Sequence, residues 1–261
     1  MLTRRAFLSL PLALALGPLA RARGETASRT ATYEVDVGIL YELLSFHLAG
    51  TIAESIDRGQ RRYEVRVEGQ GNGIMNRTDS RGVWRGGRWA PTRTQSLVVV
   101  YGRESRLDIA YDYAVRTVDY RSRAETFFLR RLRVVEDVLR IPDGMHVDDA
   151  LSATLNYAEG LWSPRADGAF ETHVVRRRRP PTEGADDVEK TYDAELVPFV
   201  LKLGADPDTG KPTALFDLSR FSSWAREDRP ARIVFGADRR PEAITSSLIL
   251  GTSVTIRIRA T

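Results

Sequence analysis

The sequence predicts a mainly β protein: a twisted antiparallel sheet curved into a half-barrel or open barrel, with one short helix, residues 147–159, packed on it or plugging it. Two observations carry this expectation. Short segments with Val, Ile, Tyr or Phe at every second position recur along the chain, the signature of strands buried on one face. One segment alone, His146 to Gly160, places Val147, Ala150, Leu151, Leu155 and Ala158 at helical spacing. The composition agrees, since 42% hydrophobic and 28% charged residues make a globular chain rather than a disordered or collagen-like one. The sequence holds no cysteine, so disulfides, thiolate metal sites, a cysteine nucleophile and lipidation of an N-terminal cysteine have no residue to act on.

Taken in order, residues 1–22 open with Arg4 and Arg5, run through apolar residues from Phe7 to Ala20 and end in the small-residue site Ala20-Arg21-Ala22. That is the layout of a cleavable signal peptide. The apolar run is broken by Pro11 and Pro18 and falls short of the roughly 20 residues of a spanning helix, so no permanent membrane anchor is expected. A periplasmic protein, soluble after cleavage and delivered by export machinery, is. Thr3-Arg4-Arg5-Ala6-Phe7-Leu8 matches the twin-arginine pattern, and an ordinary secretory signal with an Arg-Arg end fits the same residues. Cleavage after Ala22 removes three arginines and takes the net charge from +4 to +1. The basic balance then belongs mostly to the signal, and a nucleic-acid partner is not expected.

Residues 23–31 are small, polar and charged and read as a flexible leader to a single β domain spanning 32–261. Tyr33, Val35, Val37 and Ile39 alternate with polar residues and Gly38, and Tyr63, Val65 and Val67 with Glu64, Arg66 and Glu68. Further strands are expected over 97–101, 107–111, 115–120, 170–175, 194–201, 232–235, 244–250 and 254–258, with turns at Gly71-Asn72-Gly73, Gly86-Gly87 and Asp206-Pro207-Asp208 between them. Leu40 to Ile56 is too continuously apolar for period to decide and is read as one long strand. In the helical segment Asp148 is the expected N-cap and Gly160 the stop. Residues 177–189 read as a loop within one sheet system, and Arg176-Arg177-Arg178-Arg179 before Pro180-Pro181 as a solvated strand end.

Several of these pieces together resemble the bacterial envelope family catalogued as domain of unknown function 3108. They are Tyr33 to Gly38, Arg88-Trp89-Ala90-Pro91-Thr92 after a Gly-rich turn, Ile141-Pro142-Asp143-Gly144 leading to Asp149-Ala150-Leu151-Ser152, and Asp238 to Ile244 followed by Leu250-Gly251-Thr252. Trp224-Ala225-Arg226-Glu227-Asp228 stands as the counterpart of that family's Trp with nearby acids. The resemblance implies a twisted half-barrel, similar in outline to periplasmic carriers and outer-membrane receptors of lipoproteins. It implies no catalytic residues.

Motifs for chemistry are sparse. His47, His146 and His173 lie far apart without zinc spacing, and only His146-Val147-Asp148-Asp149 groups an imidazole with carboxylates. Gly69-Gln70-Gly71-Asn72-Gly73 follows a strand and leads into no helix, so it reads as a turn rather than a nucleotide loop. Asp206 to Gly210 resembles the start of a calcium loop, but position 12 is Asp217 instead of Glu. No catalytic residue, metal site or cofactor is assigned. Trp84, Trp89, Trp162, Phe199, Phe216, Phe221 and Trp224 fill a core or line a cavity. Phe127, Phe128, Arg130, Arg131 and Trp162 are the candidate binding residues, an apolar mouth flanked by positive charge for an amphiphile with an anionic head. Three functions follow: a non-catalytic binder of a lipid-like ligand or lipidated partner, an envelope scaffold with a filled core, and a hydrolase with a site near His146.

Overall fold

The structure, a computed structural model, describes residues 26–39, 44–126, 129–180, 183–184, 186–221, 225, 228–248 and 251–261. The signal segment with Arg4, Arg5, Ala20 and Ala22 lies outside the described residues, as do Phe127, Phe128 and Trp224. The strands run in chain order as β1 Thr26–Ile39, β2 Leu44–Asp57, β3 Arg62–Gly71, β4 Ile74–Arg85, β5 Arg88–Val100, β6 Arg103–Asp112, β7 Thr117–Glu125, β8 Leu132–Arg140 and β9 Val147–Asp148. After the helix α1, Ala150–Ala158, come β10 Phe170–Arg177, β11 Ala194–Ala205, β12 Pro212–Phe216, β13 Ala231–Phe235, β14 Pro241–Ser247 and β15 Ser253–Ala260.

These fifteen strands of the described residues form one sheet in the order β8-β7-β6-β5-β4-β3-β2-β1-β15-β14-β13-β12-β11-β10-β9. Two meanders therefore meet where the first strand pairs with the last, Tyr33 opposite Ile258. All neighbours are antiparallel except β9 and β10. Local chemistry sets the hairpins: Asn72 and Gly73 both take positive φ, 48° and 73°, the two-residue turn whose twist matches its strands.

The sheet curls until its β8 edge meets the far side. Val135 of β8 packs with Val147, Tyr192 and Ala194, and Asp137 Oδ2 accepts the Ala194 N–H at 2.8 Å. Arg133 donates to the Asp187 and Gly184 carbonyls at 2.8 and 3.0 Å. The seam is thus closed by side chains in place of a backbone ladder, which gives the expected open barrel. The helix sits inside it. Leu155 packs against Ile56, Tyr63, Val65 and Trp89 of one wall, while Ala153 and Tyr157 pack against Phe170, Ala214 and Phe235 of the other.

Several expectations need correction. Thr26 to Ala31 are no leader: they pair with Ile52 to Asp57 of β2, because ladder bonds come from the backbone and Arg29 adds ion pairs to Glu54 and Asp238. The helix begins at Ala150 rather than at 147, since Val147 and Asp148 pair with His173 and Val174 as β9. Asp149, not Asp148, is its N-cap, and it makes a capping box with Ser152. Gly160 follows the helix with φ 70°, as a stop requires. Strands β4, β8 and β12 were not anticipated by the alternation. The Leu40–Ile56 strand is described from Leu44 onward. Residues 178–193 do connect β10 to β11, but Arg176 and Arg177 belong to β10 and are half-buried, while Arg178 is exposed. Arg177 bonds both oxygens of buried Glu183 at 2.7 and 2.6 Å and stacks over Tyr192.

Candidate functional site

The site grows from the two acids that lead into the helix. Asp149 is buried. One oxygen accepts the N–H groups of Leu151 and Ser152, and the other accepts the Ser80 hydroxyl at 2.5 Å and the Thr94 hydroxyl. Because Ser80 donates to the carboxylate, Tyr63, 2.9 Å away, is the donor to Ser80. Burial pushes the Asp149 carboxyl above the usual carboxylate range against these hydrogen bonds, and the charge of Asp148 adds to the rise. Burial likewise raises the Tyr63 and Tyr111 hydroxyls, helped by the negative charge of Asp149, so both phenols stay neutral.

Asp148 is fully buried and ties three elements together. Oδ1 accepts Ser152 Oγ at 2.8 Å, Asn156 Nδ2 at 2.9 Å and His146 Nε2 at 3.2 Å. Oδ2 accepts Arg88 Nη2 at 2.7 Å and Thr172 Oγ1 at 2.6 Å. Asn156 also brackets the Trp89 backbone, accepting its N–H and donating to its carbonyl. A carboxylate offers about four lone-pair sites, so Asp148 has none left for a substrate. The His146–Asp148 pair expected as the nearest thing to acid–base chemistry therefore serves as a strut, and His146 does not line the cavity beside it.

That cavity has a volume of about 460 Å³ and lies between α1 and the two walls of the barrel. Trp162, Phe199, Phe216, Phe221 and Phe235 make one wall aromatic, and Thr78, Thr94 and Ser96 of β4 and β5 face it with hydroxyls. Trp162 is buried, donates its Nε1–H to the Glu171 carbonyl at 2.7 Å and stacks on Phe199 at 6.5 Å and 25°. Such a volume, with mostly apolar walls and a few fixed polar groups, is typical of small-molecule sites.

Of the residues expected to bind, Trp162 is on this wall. Arg130 and Arg131 are not. They stand exposed at the β7–β8 connection, where Arg130 bonds Glu125 and the Gly102 carbonyl and the Arg131 N–H bonds Thr126. Neighbouring Leu129 is 61% exposed and its N–H is held by Asp186. The physical reason is position: no residue of β7 or β8 reaches the cavity wall. The residues that sequence reasoning missed are the hydroxyl strip Thr78, Thr94 and Ser96, together with Ile233, Phe235 and Ile244. Among the described residues no three His, Asp or Glu side chains converge as a metal-holding group. No helix of the described residues is long and apolar enough to cross a membrane.

No protein-family model matches the chain. No curated protein matches it either. Among solved structures it is similar to the crystal structure of a beta-barrel-like protein of domain of unknown function DUF1849 from Brucella abortus. That match has 11% sequence identity and a TM-score of 0.43, and covers 90% of this chain and 95% of that one.

Proposed function

We propose that the protein is an exported, non-catalytic periplasmic binder that holds a lipid-like hydrophobic ligand between α1 and the aromatic wall. The observation that carries this reading is the cavity of about 460 Å³ walled by Trp162, Phe199, Phe216 and Phe235. Affinity would come from burying alkyl surface, at about 0.8 kcal/mol per methylene. Residues 1–22 support the export half of the reading, as does the resemblance to an envelope family. Native mass spectrometry of the protein recovered from the periplasm, before and after organic extraction, tests it. An extractable adduct of lipid size is the expected result. A clean apo mass, with no uptake of added lipid, overturns it.

One observation favours the scaffold reading instead. On the outward face of β8, Leu132, Val134 and Val138 are 39%, 44% and 63% exposed, and β8 ends the sheet, so an envelope protein could dock there. Cross-linking from Val138 in the intact envelope separates this from the carrier reading. The hydrolase reading has the least support, since Asp148, the acid that His146 bonds, is already saturated with hydrogen bonds.

A further inference from the structure

We infer that the cavity selects an uncharged amphiphile, a hydroxyl- or ester-bearing lipid, and discriminates against an anionic one such as a fatty-acid carboxylate or a phosphate. This rests on the cavity reading above and reverses the head-group preference that the arginine-rich sequence suggests.

Successive residues of a strand face opposite sides of the sheet. Thr78, Ser96 and Leu107 stand opposite one another across β4, β5 and β6, and all three line the cavity. Their chain neighbours Arg77 and Arg106 line a groove on the outer face, with Arg93 paired there to Asp108. Arginine is thereby displaced from the lumen by one residue of register. The consequence is that, among the described residues, no Lys, Arg or His lines the cavity, and Asp148 and Asp149 are the only acidic or basic side chains that do.

Those two acids do not offer a counter-charge. Asp148 is neutralised by Arg88, which bonds it at 2.7 Å without joining the cavity wall. Asp149 has hydroxyls and helix N–H groups on both oxygens, so as a carboxylate it repels an incoming anion and supplies no positive charge to pair with it. Burying an unpaired charge in such a site costs far more than burying a hydrogen-bonded neutral group. Neutral recognition is available in the same place. Thr78 Oγ1 and Ser96 Oγ lie 2.9 Å apart, and each hydroxyl has further donor or acceptor capacity. They can hydrogen-bond a glycerol hydroxyl or an ester carbonyl while the aromatic wall takes the chain.

The test is displacement of Nile red, a neutral probe, from the purified protein by 1-monooleoylglycerol and by oleate, which share one acyl chain. At about pH 8 the oleate carboxylate is ionised. The expected result is that monooleoylglycerol binds at least about tenfold more tightly. Equal or tighter binding of oleate overturns the neutral-ligand inference while leaving the cavity reading intact. No probe uptake and no binding of either lipid overturns the cavity reading itself. Ser96→Lys places an ammonium in the wall and should shift the preference towards oleate by at least about tenfold. A folded Ser96→Lys protein with unchanged selectivity counts against the inference, and if that variant does not fold, the comparison of the two lipids on the unaltered protein still decides.

Discussion

The Ser80 hydroxyl lies 2.5 Å from Asp149 Oδ2, so the fourth strand of the sheet and the N-terminus of its one helix share a single buried carboxylate. The same carboxylate satisfies two helix N–H groups that have no partner within α1. A helix of nine residues is too short to be stable alone. Its place inside the barrel is therefore fixed by this junction and by the packing of Leu155 and Tyr157 on opposite walls.

Asp149→Ala should destabilise the protein by roughly 2–4 kcal/mol. The estimate joins the loss of an N-cap, typically about 1 kcal/mol, to buried Ser80 and Thr94 hydroxyls stripped of their acceptor, about 1–3 kcal/mol. Urea unfolding followed by circular dichroism measures it. A loss below about 0.5 kcal/mol, the scale of a neutral surface change, would mean that the junction does not hold the helix.

Glu183 gives a second prediction, for the seam. It is buried, accepts Arg177 at both oxygens and the Tyr192 hydroxyl at 3.1 Å, and lies 3.6 Å from Arg133 of β8. Removing one partner of a buried pair leaves the other desolvated, so Glu183→Ala should cost about 3 kcal/mol. Hydrogen exchange should rise first in β8 and residues 183–194, and unchanged protection there would count against a side-chain seam. Burial works to raise this carboxyl, yet Arg177 and Arg133 hold it below its ordinary value of 4.5. Its stabilisation is accordingly complete above that value and is lost as pH falls through the lower folded value.

How much of this was legible in the sequence depended on which face of each strand is apolar. Tyr33, Val35 and Val37 alternate cleanly with polar residues because β1 lies mid-sheet, with Ala31 and Tyr33 of the same face buried. Strand β4 escaped notice because both of its faces are polar over residues 76–81: Asn76, Thr78 and Ser80 turn inward and Arg77, Asp79 and Arg81 outward, and only the fold makes Ser80 a partner of Asp149 and Thr78 a partner of Ser96. Strand β8 reads inverted, with Leu132, Val134 and Val138 outward, because Arg133 and Asp137 are used to close the seam. Asp148 and Asp149 are equivalent as caps by composition. What separates them is the pairing of Val147 and Asp148 with β10, a contact made across 26 residues of chain that no local pattern reports. The candidate site was legible in its aromatics, Trp162, Phe199, Phe216 and Phe221, but not in its polarity.

Asp206 supplies a prediction in acid. Its carboxylate accepts the backbone N–H and the hydroxyl of Thr209 and pairs with Arg232, and these contacts, the Thr209 N–H foremost, hold its pKa down to about 2. A depressed carboxylate favours the folded state above the unfolded value of 3.8 and loses that contribution as pH falls towards about 2. The carboxyl resonance followed by NMR should titrate near 2, and Asp206→Asn should remove that part of the acid dependence. A midpoint near 3.8 would mean that the turn does not hold the carboxylate. The loop expected to resemble a calcium site thus uses its first acid on its own backbone.

Export can be tested apart from binding. A general secretory signal needs only positive charge ahead of an apolar run, so replacing Arg4 and Arg5 by Lys leaves it competent. The twin-arginine pattern instead requires the paired guanidinium groups themselves before Phe7 and Leu8, and Lys supplies the charge without the planar fork of donors. With Arg4→Lys and Arg5→Lys together, cell fractionation should find the protein retained in the cytoplasm with residues 1–22 uncleaved. Continued delivery of the cleaved protein to the periplasm would assign export to the general route and leave the periplasmic reading in place. A wild-type protein found in the cytoplasm would remove the compartment on which the carrier reading depends, because the ligand argued for here would then have to come from a different membrane face.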